Sequence, residues 1–283
     1  MSQNSATPSQ VTTEDVQRYW NEHPLFSLEV TEGYGQEGFF HELERIKSRD
    51  VEVYTQDYWN FSGYAGQSVL DLGCGPGWYS AQYGLGGANV TGVDLTPKAV
   101  EVASAYARFR GLDNVVIRQG DAQELPFADD SFDLVVSSGV LHHVPDPVRA
   151  FGEVRRVLKP GGEAKITLYY RNFLLRNPLA FRAMLLALRV LNVRHHDVAS
   201  GQDPKSPDDF VRMYDGRDNP LGVAFSDARW TALLAQGGLR VTSRELHFFP
   251  LRFLPSAGWL RPARRFCDRN LGFLIYYRLR PEK

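Results

Sequence analysis

The sequence predicts an open, doubly wound α/β sheet. Three observations carry that expectation. Short apolar runs of strand character, the first at Val69–Leu72, alternate with helix-like segments between residues 69 and 170. The first run leads directly into a turn built from Gly73, Gly75 and Gly77, and then into a helix opening at Trp78, Tyr79 and Ser80. Acids stand where the next two runs end (Asp94, Asp121), on the rim where open α/β sheets bind ligands, and Asp71 precedes the glycine turn.

Composition agrees with this class. The 283 residues, 43% hydrophobic and 23% charged, suit one large α/β domain with additions better than two independent domains. A net charge of −1 exerts no general pull on nucleic acid. Cys74 and Cys267 are far apart, without a C-x-x-C pair or metal-ligand spacing, so free thiols in a reducing cytoplasm are expected. Residues 1–15 lack the basic start and apolar core of a secretory signal and read as a disordered leader. No stretch is long and apolar enough to span a bilayer.

Taken in order, a cap at Thr12 or Thr13 opens a short helix, Glu14–Glu22, with Val16, Tyr19 and Trp20 on one side; His23-Pro24 ends it. Gly33, Gly35 and Gly38 precede Phe39, Phe40 and a charged helix. This segment either closes over a ligand or merely covers the sheet, and Tyr19, His41 and Arg45 are its candidates for contact. The glycine turn lets the backbone bend sharply and approach a ligand with no Cβ in the way, while the N-terminal amides of the next helix point at the same place. With its apolar strand and Asp71, the turn favours a nucleotide corner over an ordinary βα turn. Its spacing, D-x-G-x-G-x-G, differs from the dinucleotide pattern G-x-G-x-x-G.

The next strand ends at Asp94, where a carboxylate suits the two vicinal hydroxyls of a ribose; capping of the helix Pro97–Arg110 is the plain alternative. A third strand, Val115–Gly120, leads to Asp121 and Ala122, which could meet an exocyclic amine and a ring nitrogen. A fourth, Phe132–Val136, delivers Ser137, Ser138 and Gly139 to the rim. A helix (Pro147–Leu158), an LKPGG turn and a fifth strand, EAKITLYYR, follow.

From Val69 to Tyr170, about a third of the chain, these segments match in order the motifs of the class I S-adenosylmethionine-dependent methyltransferases, which they closely resemble. The likeness is to the small-molecule enzymes of quinone and natural-product metabolism. It implies a Rossmann-like seven-stranded sheet, mostly parallel, whose last strand (GFLIYYRLR) inserts antiparallel between strands five and six. It also implies S-adenosylmethionine as cofactor and S-adenosylhomocysteine as product, held by Asp71, Gly73, Gly75, Gly77, Asp94, Leu95, Asp121, Ala122, Ser138 and His143. Of the His142-His143 pair, His142 is the expected base; the alternative is that both histidines only shape the loop before Pro145.

Four segments are therefore expected: a leader and helical lid (1–62), a cofactor-binding core (63–171), a substrate cap (172–222) and the rest of the core (223–283). In the cap, Leu179–Leu191 reads as an apolar helix whose Phe181, Met184 and Leu185 line an apolar pocket, in preference to a membrane-surface helix. Tyr19, His41, Tyr169, Arg171, Phe181, Met184 and Asp215 are the substrate-side candidates. No metal spacing stands out around His195 and His196. The arginines from 261 to 269 read as a solvated face. The acceptor expected is a small, largely apolar metabolite, methylated by in-line transfer. No basic, aromatic-studded run suggests nucleic acid, and the tetrapeptide typical of amino-group methylases is replaced by SSGV. Weak membrane-surface association and any oligomeric state stay open. The rivals are a non-catalytic cofactor-binding protein on the same fold and a nicotinamide oxidoreductase.

Overall fold

The computed structural model describes residues 11–26, 33–52, 54–190, 204, 206–216, 218–248 and 261–282. The strands β1 (Ser68–Leu72), β2 (Asn89–Asp94), β3 (Val115–Gln119), β4 (Phe132–Ser138), β5 (Leu158–Tyr169), β6 (Leu239–His247) and β7 (Leu274–Pro281) make one seven-stranded sheet. Its order is β3-β2-β1-β4-β5-β7-β6. The first five strands pair in parallel, and β7 runs antiparallel between β5 and β6, as the resemblance implied.

Three helices precede the sheet: α1 (Thr13–Glu22), α2 (Glu37–Ile46) and the single turn α3 (Gln56–Trp59). The crossovers are α4 (Trp78–Leu85), α5 (Pro97–Phe109) and α6 (Pro147–Val157). After β5 come α7 (Phe173–Arg176), α8 (Pro178–Val190) and α9 (Pro207–Tyr214), then α10 (Asp227–Gln236) before β6 and α11 (Arg261–Leu271) before β7.

Side chains alternate along a strand, so a strand covered by helices on both faces must be apolar throughout. β1 meets this condition except at buried Asp71: Val69 joins one core with Phe39, Trp59, Tyr83 and Tyr106, while Leu70 and Leu72 join the opposite one with Phe151, Val154, Trp230 and Leu234. The helix starts are written locally. Thr12 and Asp15 form a reciprocal capping box on α1, and Thr96 and Asp146 cap α5 and α6 just before a proline.

One expectation needs correcting. LKPGG is not a free turn but the irregular start of β5, where Phe132 pairs with Leu158 before the register shifts. Left-handed Gly161 (φ +85°) takes the extra curvature. A helix that the sequence analysis did not mark, α9, begins at Pro207, with Ser206 Oγ accepting from Asp209 N–H at 3.1 Å. Ser206, Pro207 and two acids are a complete helix-start signal that the surrounding polarity obscured. Among the described residues, no helix is long and apolar enough to cross a membrane.

Trp230 ties α10 to the sheet: it is fully buried, and its Nε1–H donates to the Tyr169 carbonyl at 2.8 Å. Trp230→Ala is expected to lower stability by about 3–5 kcal/mol in urea unfolding. A loss below about 1 kcal/mol would show that α10 does not anchor this side of the core.

Candidate functional site

The site begins where β1 ends. The N–H groups of Gly73 and Cys74 both donate to the Val93 carbonyl, at 2.7 and 3.0 Å, and draw the bend over the tip of β2. Gly75 N–H then donates to Asp94 Oδ2 at 2.9 Å. Gly73 and Gly75 are left-handed, with φ of +74° and +51°. A Cβ on Gly73 would lie 2.4 Å from Val140 Cγ1, which forbids any larger residue. On Gly75 it would meet nothing closer than Leu25 at 3.9 Å, because it would project into an open cavity. Bare backbone therefore faces that space.

Asp94 lines the same cavity. Its other oxygen accepts from both the N–H and the hydroxyl of Thr96 at 2.9 Å. Burial pushes its carboxyl upward, and the N–H groups of Thr96 and Gly75 oppose that shift by favouring the ionised form. Farther along the wall, Asp121 is oriented by the Gln123 N–H at 2.9 Å, beside Ala122, and Leu95 stands next to Asp94. Ser138 Oγ donates to the Tyr79 hydroxyl at 2.8 Å, which in turn donates to buried Glu52. Lys47 Nζ lies 4.4 Å above the Tyr79 ring. It projects from a π-helical turn, Lys47–Val51, that continues α2.

The opposite wall comes from α1 and from the loops after β4 and α9. Val16 and Trp20 of α1 line the cavity, and hydrogen bonds to several parts of the chain hold the helix there. Gln17 Nε2 donates to the Leu95 carbonyl (2.8 Å), Gln123 Nε2 to Thr13 Oγ1 (3.0 Å) and the Tyr19 hydroxyl to the Asp215 carbonyl (2.6 Å). His143 and Asp215 face the cavity together, with His143 Nε2 3.3 Å from Asp215 Oδ2. The His143 Nδ1 sits 2.5 Å from the Leu221 carbonyl, an acceptor only, so that nitrogen carries a proton, while Nε2 faces the Asp215 carboxylate. The Tyr169 hydroxyl donates to the same Asp215 oxygen at 2.7 Å.

The structure thus gathers Gly73, Gly75, Asp94, Leu95, Asp121, Ala122, Ser138, His143 and Asp215 around one cavity, and sets Tyr19 and Tyr169 behind it as holders of Asp215; Gly77 lies off the wall, where a Cβ would strike Ala103 of α5 at 2.9 Å. Other expectations are corrected. Asp71 is buried beneath the bend, where Ser80 Oγ of α4 donates to it at 2.6 Å; it fastens strand to helix and does not reach the cavity. His142 is enclosed against the Tyr169 ring, 4.0 Å between centroids, and also lies off the cavity wall. Burial, reinforced by His143, drives its basicity well below the ordinary imidazole value, which makes it a poor base. His41 lies on the outer face of α2, 3.7 Å from Glu37 and against Phe109. Arg45 pairs with Glu42, and Arg171 pairs with Asp208. Phe181 packs on Phe210 and Met184 on the same core, since the apolar face of α8 is spent on the sheet's flank.

Lys47 and Glu52 were missed. Within HELERIKSRDVEVY they look like ordinary surface charges, and only the π-helical turn carries them inward.

A cavity with bare backbone at Gly75 and a wall carboxylate at Asp94 fits an adenosyl ligand. The family model described as "Methyltransferase domain" matches residues 70–166. The ubiquinone biosynthesis O-methyltransferase of Cereibacter sphaeroides is 32% identical over 184 residues, which are 63% of this chain and 72% of the relative. An uncharacterized methyltransferase of Bacillus subtilis, YcgJ, is 41% identical over 102 residues; the match takes 36% of this chain and spans only 40% of the relative's length. The crystal structure of the Bacillus YcgJ protein superposes with a TM-score of 0.52 at 21% identity, covering 80% of this chain and 97% of that one. The chain belongs to the class I S-adenosylmethionine-dependent methyltransferases. It is a transferase whose cofactor is S-adenosylmethionine.

Burial raises the Asp71 carboxyl to about 6 from 3.8, and the Ser80 hydroxyl only partly offsets this. The folded state then binds the proton more tightly than the unfolded chain, so this contribution to stability is present below about pH 4 and is lost as pH rises through about 6. Asp71→Asn keeps an acceptor for Ser80 and removes the charge. Between pH 4 and 7 the wild type should lose stability against this variant by on the order of 3 kcal/mol, at 1.36 kcal/mol per pH unit. Parallel pH profiles from urea unfolding would contradict the assignment.

Proposed function

We propose that the protein methylates a hydroxyl group on a small, largely apolar metabolite. One observation carries this reading: the glycine bend and Asp94 open into the same cavity as the His143–Asp215 pair. The apolar character follows from the walls, where Val16, Trp20, Leu25, Val140 and Val144 stand between the polar ends. The named relative from Cereibacter is an O-methyltransferase of ubiquinone biosynthesis, which supports oxygen as the acceptor atom.

In this reading Asp94 binds the ribose hydroxyls, Asp121 and Ala122 the adenine edge, and the bend and the start of α4 the amino-acid end of the cofactor. Bound S-adenosylmethionine supplies an electrophilic methyl group on a sulfonium. A hydroxyl is a weak nucleophile until its proton leaves. His143 Nε2, beside Asp215 on the cavity wall, accepts that proton when the ring is neutral. Asp215 stabilises the charge thus formed, steadied by the Tyr169 hydroxyl. Trp20, whose ring lies 5.2 Å from that of His143, and Val16 exclude water over the pair. Positioning of this kind supplies several kcal/mol of the barrier reduction.

S-adenosylhomocysteine release, followed with apolar phenols, alcohols, amines and thiols, is expected for the hydroxylated acceptors. Turnover confined to amines, or to polymers, would contradict the proposal. Asp94→Ala is expected to weaken cofactor binding by about 1–3 kcal/mol in calorimetry through lost charged hydrogen bonds. An unchanged affinity would remove Asp94 from the cofactor. His143→Ala is expected to lower kcat by about 100-fold or more while the cofactor Kd holds. Near-wild-type kcat would reduce His143 to scaffolding.

A further inference from the structure

His142, His143 and Asp215 each present a ligating atom within 4.8 Å of those of the other two. We infer that these residues form a binding site for a divalent transition-metal cation, with zinc as the best match, at the acceptor end of the cavity. Two imidazoles and a carboxylate are a donor set that borderline cations such as zinc favour.

The observations go beyond the count of donors. His143 Nε2 and Asp215 Oδ2 are 3.3 Å apart, which is about the edge of a tetrahedron with bonds of roughly 2.0–2.1 Å. Both ligands already have outer partners of the kind that fix metal ligands. His143 gives its Nδ1 proton to the Leu221 carbonyl, and Asp215 accepts from the Tyr169 hydroxyl. The third ligand supplies the independent sign: His142 Nε2 is buried and has no hydrogen-bond partner. A buried polar atom left unmatched is costly, and a cation satisfies it. The one contact against ligation through Nε2 is the Tyr169 N–H toward His142 Nδ1. It is a long hydrogen bond, 3.4 Å, in which Nδ1 accepts, so ligation through Nε2 requires the ring proton to move to Nδ1 and gives that bond up.

Three protein ligands leave at least one position open, as in catalytic rather than structural zinc sites. His143 and Asp215 line the cavity, so that position faces it. An oxygen donor on the methyl acceptor would complete the coordination. A cation here would take the Nε2 lone pair that the proposed function uses to accept a proton, so in the metal-bound form the hydroxyl would lose its proton through coordination instead; the test below contains no acceptor and stands apart from that reading.

Tag-free, full-length protein is treated with chelator, dialysed and titrated with zinc chloride by calorimetry, then with cobalt chloride by visible absorption. One equivalent of zinc per chain is expected, with the intense cobalt spectrum of a four- or five-coordinate site. Asp215→Asn and His143→Gln should each weaken zinc binding by about 100-fold or more, since loss of an outer partner alone costs 10–100-fold. His247→Gln, at a buried histidine paired with Asp268 on another part of the sheet, should leave it unchanged. If His143→Gln fails to fold, Asp215→Asn decides, because its side chain keeps its shape. No stoichiometric binding, or binding that survives Asp215→Asn, overturns the proposal, and neither outcome bears on S-adenosylhomocysteine release.

Discussion

The hydrogen bond from Gly75 N–H to Asp94 is the contact on which the rest of the site depends. It joins the tips of two neighbouring parallel strands and fixes the bend in a shape that only glycines allow. It also turns the carboxylate outward along the cavity wall. Asp94 cannot be displaced without freeing the bend, and the bend cannot carry a Cβ at Gly73 without striking Val140. Binding surface and fold are therefore one construction at this corner. Asp71 completes it from below by holding Ser80, so that α4 starts where its first amides face the same space.

The second half of the site has a different origin. Asp215 belongs to the segment between β5 and α10, and three distant parts of the chain converge on it. Tyr19 comes from α1, Tyr169 from the end of β5 and His143 from the loop after β4. A residue held from three sides is well placed to orient a histidine, and α1 becomes part of the cavity wall through the same bonds. Formation of this wall is thus linked to docking of both the leading helix and the inserted segment.

How much of this was legible in the sequence follows from the range of the interactions. The parallel core was plain, because doubly buried strands must be apolar and their turns must be glycine, and both requirements act within a few residues. The antiparallel last strand came only through resemblance, since nothing local in LIYYRLR states its direction. Which histidine faces the cavity was not legible. His142 and His143 are adjacent and chemically identical, and only the packing of Tyr169 against one and the approach of Leu221 to the other separates them. Asp71 misled for a similar reason: an acid beside a glycine turn signals a ligand, but strand alternation buries it. Phe181 and Met184 read as pocket residues because an apolar helix face does not reveal which apolar surface it will meet.

The most direct test of the account is a crystal structure of the protein with S-adenosylhomocysteine. The ribose hydroxyls are predicted to lie on Asp94, with the sulfur directed toward the wall formed by His143 and Asp215. A ligand bound away from the glycine bend, or a sulfur facing away from that pair, would contradict it.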